Sequence, residues 1–205
     1  AAQVATEMVN ANPELMGDIA GGVAQLAPAA AGDVAGAMVE ANPDGAAEMA
    51  AAVAETVPGA AGAVAGAIAE ADPALAAEAA GAMMEANPAA AAQAAAGMAN
   101  AAPEVAGDVA GAMMEVAMAP DFAAEFAENA AAANPNLSVE DLESLAGNFA
   151  GNAVGAIAQG MATGDPDIAA DMAGVMMEAA MENPDMAGDF VGEIAGGMAA
   201  GAPQA

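Results

Sequence analysis

The stretch Pro28-Ala29-Ala30-Ala31-Gly32-Asp33-Val34-Ala35-Gly36-Ala37-Met38-Val39-Glu40-Ala41-Asn42, followed at once by Pro43, decides the fold. It carries the grammar of one short helix. Asn42 is a good N-cap, and a proline directly after it suits the first helical position, where no N–H is needed. The same proline stops the helix before it, because the residue preceding a proline avoids the helical region. A continuous helix through such prolines would lose about 3 kcal/mol at each one. The stretch therefore predicts a helix of about eleven to thirteen residues and then a tight turn.

The pattern recurs along the chain. Proline stands at Pro13, Pro28, Pro43, Pro58, Pro73, Pro88 and Pro103, always 15 residues after the last. Pro120 and Pro135 follow, and Pro166, Pro184 and Pro203 continue at wider spacing. With proline as position 1, position 8 is alanine in Ala20, Ala35, Ala50, Ala65, Ala80, Ala95 and Ala110. Position 6 is acidic in Asp18, Asp33, Glu48, Glu78 and Asp108, with Ala63 and Gln93 as exceptions. Position 11 is large and apolar in Val23, Met38, Val53, Ile68, Met83, Met98 and Met113. Position 15 is often Asn or Asp, as in Asn12, Asn42, Asp72, Asn87 and Asp165. A fixed period of this kind is the signature of a repeat architecture.

At about 100° per residue, positions 2, 6 and 13 share one face and hold most of the acid. Positions 3, 7, 11 and 14 form a neighbouring apolar stripe, which alanine at positions 4 and 8 extends. Positions 5 and 9 are mostly Gly or Ala. Glycine inside a helix costs about 0.5–1 kcal/mol against alanine, so its repeated use implies close approach of helix to helix. A helix this short is marginal alone and must bury its stripe on neighbours. The expected fold is all-α: a solenoid of short antiparallel Pro-started helices built on a 15-residue repeat. The pattern within one unit resembles the Pro-started short helices in the cytosolic N-domain of bacterial magnesium transporters. That resemblance is confined to the single helix, has a different period, and implies no function or site residue here.

Residues 1–119 hold the regular repeats. Residues 120–205 hold longer, divergent ones with Phe122, Phe126, Phe149 and Phe190, and continue the same solenoid. Ser138 with Asp141 reads as a capping box. Leu142, Leu145, Phe149, Ala153, Ile157 and Met161 then follow at helical spacing, so one long helix is expected near 138–162.

The ends share a phase. Ala1 falls on position 4, and Val4, Ala5 and Met8 fall on positions 7, 8 and 11. Pro203, Gln204 and Ala205 supply positions 1 to 3. The tail of one copy and the head of the next thus make one whole unit. The expectation is a head-to-tail homopolymer assembled through these seven residues, a heterologous contact that generates filaments. Otherwise the 205 residues are one period of a longer polypeptide, which also gives a fibre.

Composition narrows the chemistry. The chain has 29 Asp and Glu, no Lys, Arg, His, Cys, Trp or Tyr, and a formal charge of −29. Nucleic-acid binding needs cations to replace counterions, so no nucleic-acid partner is expected. Zinc, haem and iron–sulfur sites lose their usual ligands, and catalytic triads lose their base. The acids repeat at one helical position, which describes a solvated face, so no enzyme activity and no cofactor are expected. Solution cations, Ca²⁺ among them, are expected as diffuse partners. Gly164-Asp165-Pro166-Asp167, with Asp171 beyond it, is the fragment with a cation-loop look. Hydrophobic residues make up 58% of the chain, against the low hydrophobicity of disordered acidic chains. The longest uncharged run, Ser144–Gly164, contains Asn148, Asn152 and Gln159, so no membrane span is expected. Together these features point to a structural protein, extracellular or at the cell surface, that polymerises into an acidic filament or sheath. The alternatives are a calcium-, cation- or mineral-binding matrix protein, and a coat on a hydrophobic inclusion or interface.

Overall fold

A computed structural model describes residues 2–119, 122, 124, 138–181 and 187–202. These form eleven α-helices and no strand. The helices are α1 (Ala2–Ala11), α2 (Met16–Leu26), α3 (Ala31–Ala41), α4 (Ala46–Thr56), α5 (Ala61–Ala71), α6 (Ala76–Ala86), α7 (Ala91–Ala101) and α8 (Ala106–Met118). A longer α9 (Val139–Gly164) follows, then α10 (Ala169–Met181) and α11 (Ala187–Gly201).

Each proline among the described residues opens a single 3₁₀ turn, as in Pro28–Ala30 and Pro58–Ala60, and the α-helix starts directly after it. The residue before the proline is extended; Asn42, for example, has φ −148° and ψ 86°. Its backbone holds the turn from both sides. The Ala27 N–H donates to the Val23 carbonyl at 2.7 Å, and the Ala27 carbonyl accepts from Ala30 N–H at 2.9 Å. Val57 repeats both bonds at 2.8 and 2.9 Å. Neither residue has a capping side chain, so the Asn or Asp expected at position 15 is an addition to the turn. Asp72, Asn87 and Asp165 do cap, each accepting through Oδ1 from the N–H two residues on at 3.0 Å. Asn12 and Asn42 make no such bond.

The helices stack in two layers. α1, α3, α5, α7, α9 and α11 pack in that order in one, and α2, α4, α6, α8 and α10 in the other. Within a layer the helices run parallel: Gly17 faces Glu48 and Ala52, and Gly21, one turn on, faces Ala52 and Thr56. The helix between two parallel neighbours must carry the chain back to the starting end, which makes successive helices antiparallel.

The core lies between the layers. In α4 it takes Ala46, Met49, Ala50, Val53 and Ala54, and in α6 Ala76, Ala79, Ala80, Met83 and Met84. These are positions 4, 7, 8, 11 and 12, the i, i+3, i+4, i+7, i+8 set of one helix face. The stripe expected from the sequence holds at position 3, where Ala60 and Ala90 are buried and Leu75 and Val105 pack against the core. It is corrected at its other edge: position 12 is buried and position 14 is not. The two layers converge on one side of each helix, and position 14 lies on its flank. Small residues let the layers close, and methionines such as Met38, Met49, Met98 and Met113 fill the remaining space with an adaptable unbranched chain.

α9 buries Ala150, Ala153, Val154, Ile157, Ala158 and Met161 on the stack, as its helical spacing implied. The side chains of Asp141, Leu142, Leu145 and Phe149 lie outside the described residues, and so does Phe126. Among the described residues no helix is long and apolar enough to cross a membrane.

Candidate functional site

The layers meet their own neighbours differently. In the α1–α11 layer the contact is backbone on backbone. A Cβ added at Gly32 would lie 2.9 Å from the Ala63 carbonyl oxygen, and one at Gly62 2.8 Å from that of Gln93. Gly66 would meet the Gly97 carbonyl at 3.0 Å, and Gly97 would run into the Gly62 carbonyl. Real Cβ atoms do not approach carbonyls so closely, so glycine is required there.

Hydrogen bonding in the last turn puts α9 and α11 in the same register. Position 15 of a regular unit donates to position 11, as Ala102 N–H does to the Met98 carbonyl. Asp165 donates to Met161 and Ala202 to Met198 in the same way. Gly160 and Gly197 therefore occupy position 10, and Gly164 and Gly201 position 14. A Cβ at any of the four would strike a carbonyl of the preceding helix, from Ala92, Gly155, Ala96 and Gln159 respectively. One rule covers the layer: positions 5 and 9 of a helix seat positions 6, 10 and 14 of the next.

The α2–α10 layer keeps the rule but with side chains in between. A Cβ at Gly17 would find Ala52 Cβ at 3.2 Å, one at Gly21 Thr56 Oγ1 at 3.3 Å, and one at Gly81 Val116 Cγ2 at 3.7 Å. Asn87 Nδ2 ties this layer together by donating to the Ala54 carbonyl at 3.0 Å.

Charge follows the layers from α1 to α8. The α2, α4, α6 and α8 units carry Glu14, Asp18, Asp44, Glu48, Glu55, Glu78, Glu85, Glu104, Asp108 and Glu115. The α1, α3, α5 and α7 units carry Glu7, Asp33, Glu40, Glu70 and Asp72. The exceptions Ala63 and Gln93 both belong to the second group. A 30-residue period thus lies inside the 15-residue one. It was present in the sequence as the alternation of position 2 between acid (Glu14, Asp44, Glu104) and small residue (Ala29, Gly59, Ala89), which Ala74 alone breaks between Pro13 and Pro103. Among the described residues no polar or charged side chain is buried, so these carboxylates are solvated.

The remaining feature is at the two ends of the stack. The large apolar side chains exposed among the described residues are Val4, Met8, Leu15, Leu26, Met181 and Val191. All belong to the first two or the last two helices and their turns. Val4 and Met8 sit at positions 7 and 11 and are 60% and 47% exposed, while Val34 and Met38 at the same positions of α3 are 1% and 0% exposed. Ala5 is buried at 3% in the chain's own core. Of the expected assembly residues, Val4 and Met8 therefore lie together on an open face and Ala5 faces inward. Ala1, Pro203, Gln204 and Ala205 lie outside the described residues.

The cation fragment is arranged as a helix start. Asp165 caps the turn through the Asp167 N–H, and Asp167 and Asp171 follow at positions 2 and 6 of α10. Among the described residues no three carboxylates come together as a metal-holding group. A surface depression between α8 and α10 is lined by Gly111, Glu115, Met118, Ala119, Val175, Glu178 and Ala179, with its two carboxylates as the only ionisable groups.

These features define the molecule as a two-layer α-solenoid with apolar ends. The chain matches no family model, no curated protein and no solved structure.

Proposed function

We propose that the protein is a structural, non-catalytic subunit that stacks end on end into an acidic filament or sheath, at the cell surface or outside the cell. One observation carries the reading: every large exposed apolar side chain among the described residues lies at an end of the stack. The first and last helices keep the apolar pattern of the inner ones, so each presents a face of the repeat itself. A contact between unlike ends does not close on itself and grows into a fibre. The carboxylates then line the outside of that fibre and hold solution cations as a diffuse atmosphere. With no Lys or Arg, the exposed surface also offers no trypsin-type cleavage site.

The deciding experiment is negative-stain microscopy of the purified chain. It is run at low salt, at about 0.15 M salt, where charges are screened beyond about 8 Å, and with added calcium. Fibres are expected, favoured by salt because the −29 charge opposes stacking. Dispersed single chains under all three conditions would refute the proposal. A mass measurement of the native chain separates a subunit from one period of a longer polypeptide; the stack is the same in both.

A further inference from the structure

The two open ends are matching halves of one seam, and the layer rule states how they meet. In the inner layer contacts, position 10 of a helix is seated by position 5 of the helix before it. Where position 10 is glycine, at Gly97, Gly160 and Gly197, a Cβ would strike the backbone of the preceding helix. Gly22 is also a position-10 glycine, and nothing lies within 4 Å of where its Cβ would be. At the other end, Gly192 and Gly196 hold positions 5 and 9 of α11, exposed on the side away from α9, and nothing lies within 4 Å of either. One end presents an unused position-10 glycine and the other an unused position-5 glycine, which no inner helix leaves open; position 9 is less distinctive, because Gly111 of α8 also has nothing within 4 Å although α10 packs on that helix.

Resting on the filament reading above, we infer that a second copy of this chain continues the stack by seating its α2 on α11 of the first. The assignment of α2 rather than α1 follows from the alternation of layers. The operation that takes each helix to the next crosses from one layer to the other. The first helix of the second copy therefore follows α11 by stacking on α10, and its α2 falls on α11. Gly22 then meets Gly192 as Gly97 meets Gly62. Leu26, which is 90% exposed, lies over the bare backbone at Gly196. Val4 and Met8 of the second copy's α1 turn inward beside Met181, which is 65% exposed.

The test uses the full chain, which has no cysteine of its own. An L26C/G196C double variant is oxidised in air and run on a non-reducing gel. In an inner contact of the same kind, a Cβ at Gly66 lies 3.6 Å from Ala101 Cβ, within the span of a disulfide. Leu26 and Gly196 lie at opposite ends of the stack, several helix spacings of about 8–10 Å apart, so only bonds between chains can form. The expected result is a ladder of oligomers that collapses to single chains on reduction. A G59C/G196C control, with Gly59 in a turn far from either end, gives no ladder. A second variant, Gly196→Ile, is expected to keep its helical circular dichroism while its light-scattering mass falls to the 19.2 kDa of one chain. Fibres that form with no L26C/G196C ladder, or that survive Gly196→Ile, would overturn this junction and leave the filament reading standing. An unmodified chain that stays monomeric under every condition would overturn both.

Discussion

The α1–α11 layer and the α2–α10 layer are built from the same 15-residue grammar and end in different physics. In the first, glycines bring backbones into contact, as at Gly62 and Gly97, and the helices up to α7 carry few acids, whereas α9 and α11 carry Glu140, Asp141, Glu143, Asp189 and Glu193. In the second, Ala52, Thr56 and Val116 side chains stand between the helices, and the outer face is a row of carboxylates. From α1 to α8 the layer that closes most tightly is also the one with fewer acids, and like charges repel more at shorter range; α9 and α11 close as tightly with five acids between them. The acidic layer keeps its distance through larger side chains and gains the tie from Asn87 to Ala54.

The largest effect that would break this comparison is at the tight seam. Gly97→Val places a Cβ on the Gly62 carbonyl and should cost about 3 kcal/mol or more, since the fault is backbone against backbone. A urea midpoint unchanged from the parent chain would mean that the layers are held no differently. Next comes Asn87→Ala, which loses a helix cap and the bond to Ala54 together. A loss of about 1–2 kcal/mol is expected, against a few tenths for Asn42→Ala, whose side chain makes no cap bond. Smaller, and of opposite sign in the two layers, are substitutions at position 9. Gly66→Ala meets the Gly97 carbonyl at 3.0 Å and should destabilise. Gly81→Ala has room, with its nearest neighbour at 3.7 Å, and should gain about 0.5–1 kcal/mol of helix propensity. Equal shifts in melting temperature for the pair would remove the distinction. The smallest effect concerns charge. Glu48→Gln with Glu78→Gln should stabilise by a few tenths of a kcal/mol at low salt, the scale of exposed like-charge pairs. The gain should vanish by about 1 M salt, where the Debye length is about 3 Å. A gain that persists there would assign the effect to something other than repulsion.

Much of this arrangement was legible in the chain. The prolines place every turn in the regular region, and the α9 helix over 139–164 falls close to the 138–162 expected from its spacing. Small residues at positions 5 and 9 signalled close approach, and Gly32 and Gly62 bear that out. What escaped was the pairing of helices two units apart. Ala63 and Gln93 stood out only as exceptions to an acidic position, although they are 30 residues apart and mark one layer. The buried stripe was drawn through position 14 and not 12 because a helix wheel shows which residues share a face, and leaves open where neighbouring helices bear on it. The candidate ends followed the same course: the phase of Val4 and Met8 was readable, and the open glycines at Gly22, Gly192 and Gly196 were not.

The helices, their ends and their period are written locally in the chain, because proline, capping and apolar spacing act within a few residues. Packing alone sets the helices into two unlike layers, makes position 12 core and position 14 rim, and covers some glycines with a neighbour's backbone while Gly22, Gly192 and Gly196 stay open. The reason is that a helix seats its neighbour two units along the chain, so the meaning of each small residue depends on which helix, if any, lies across from it.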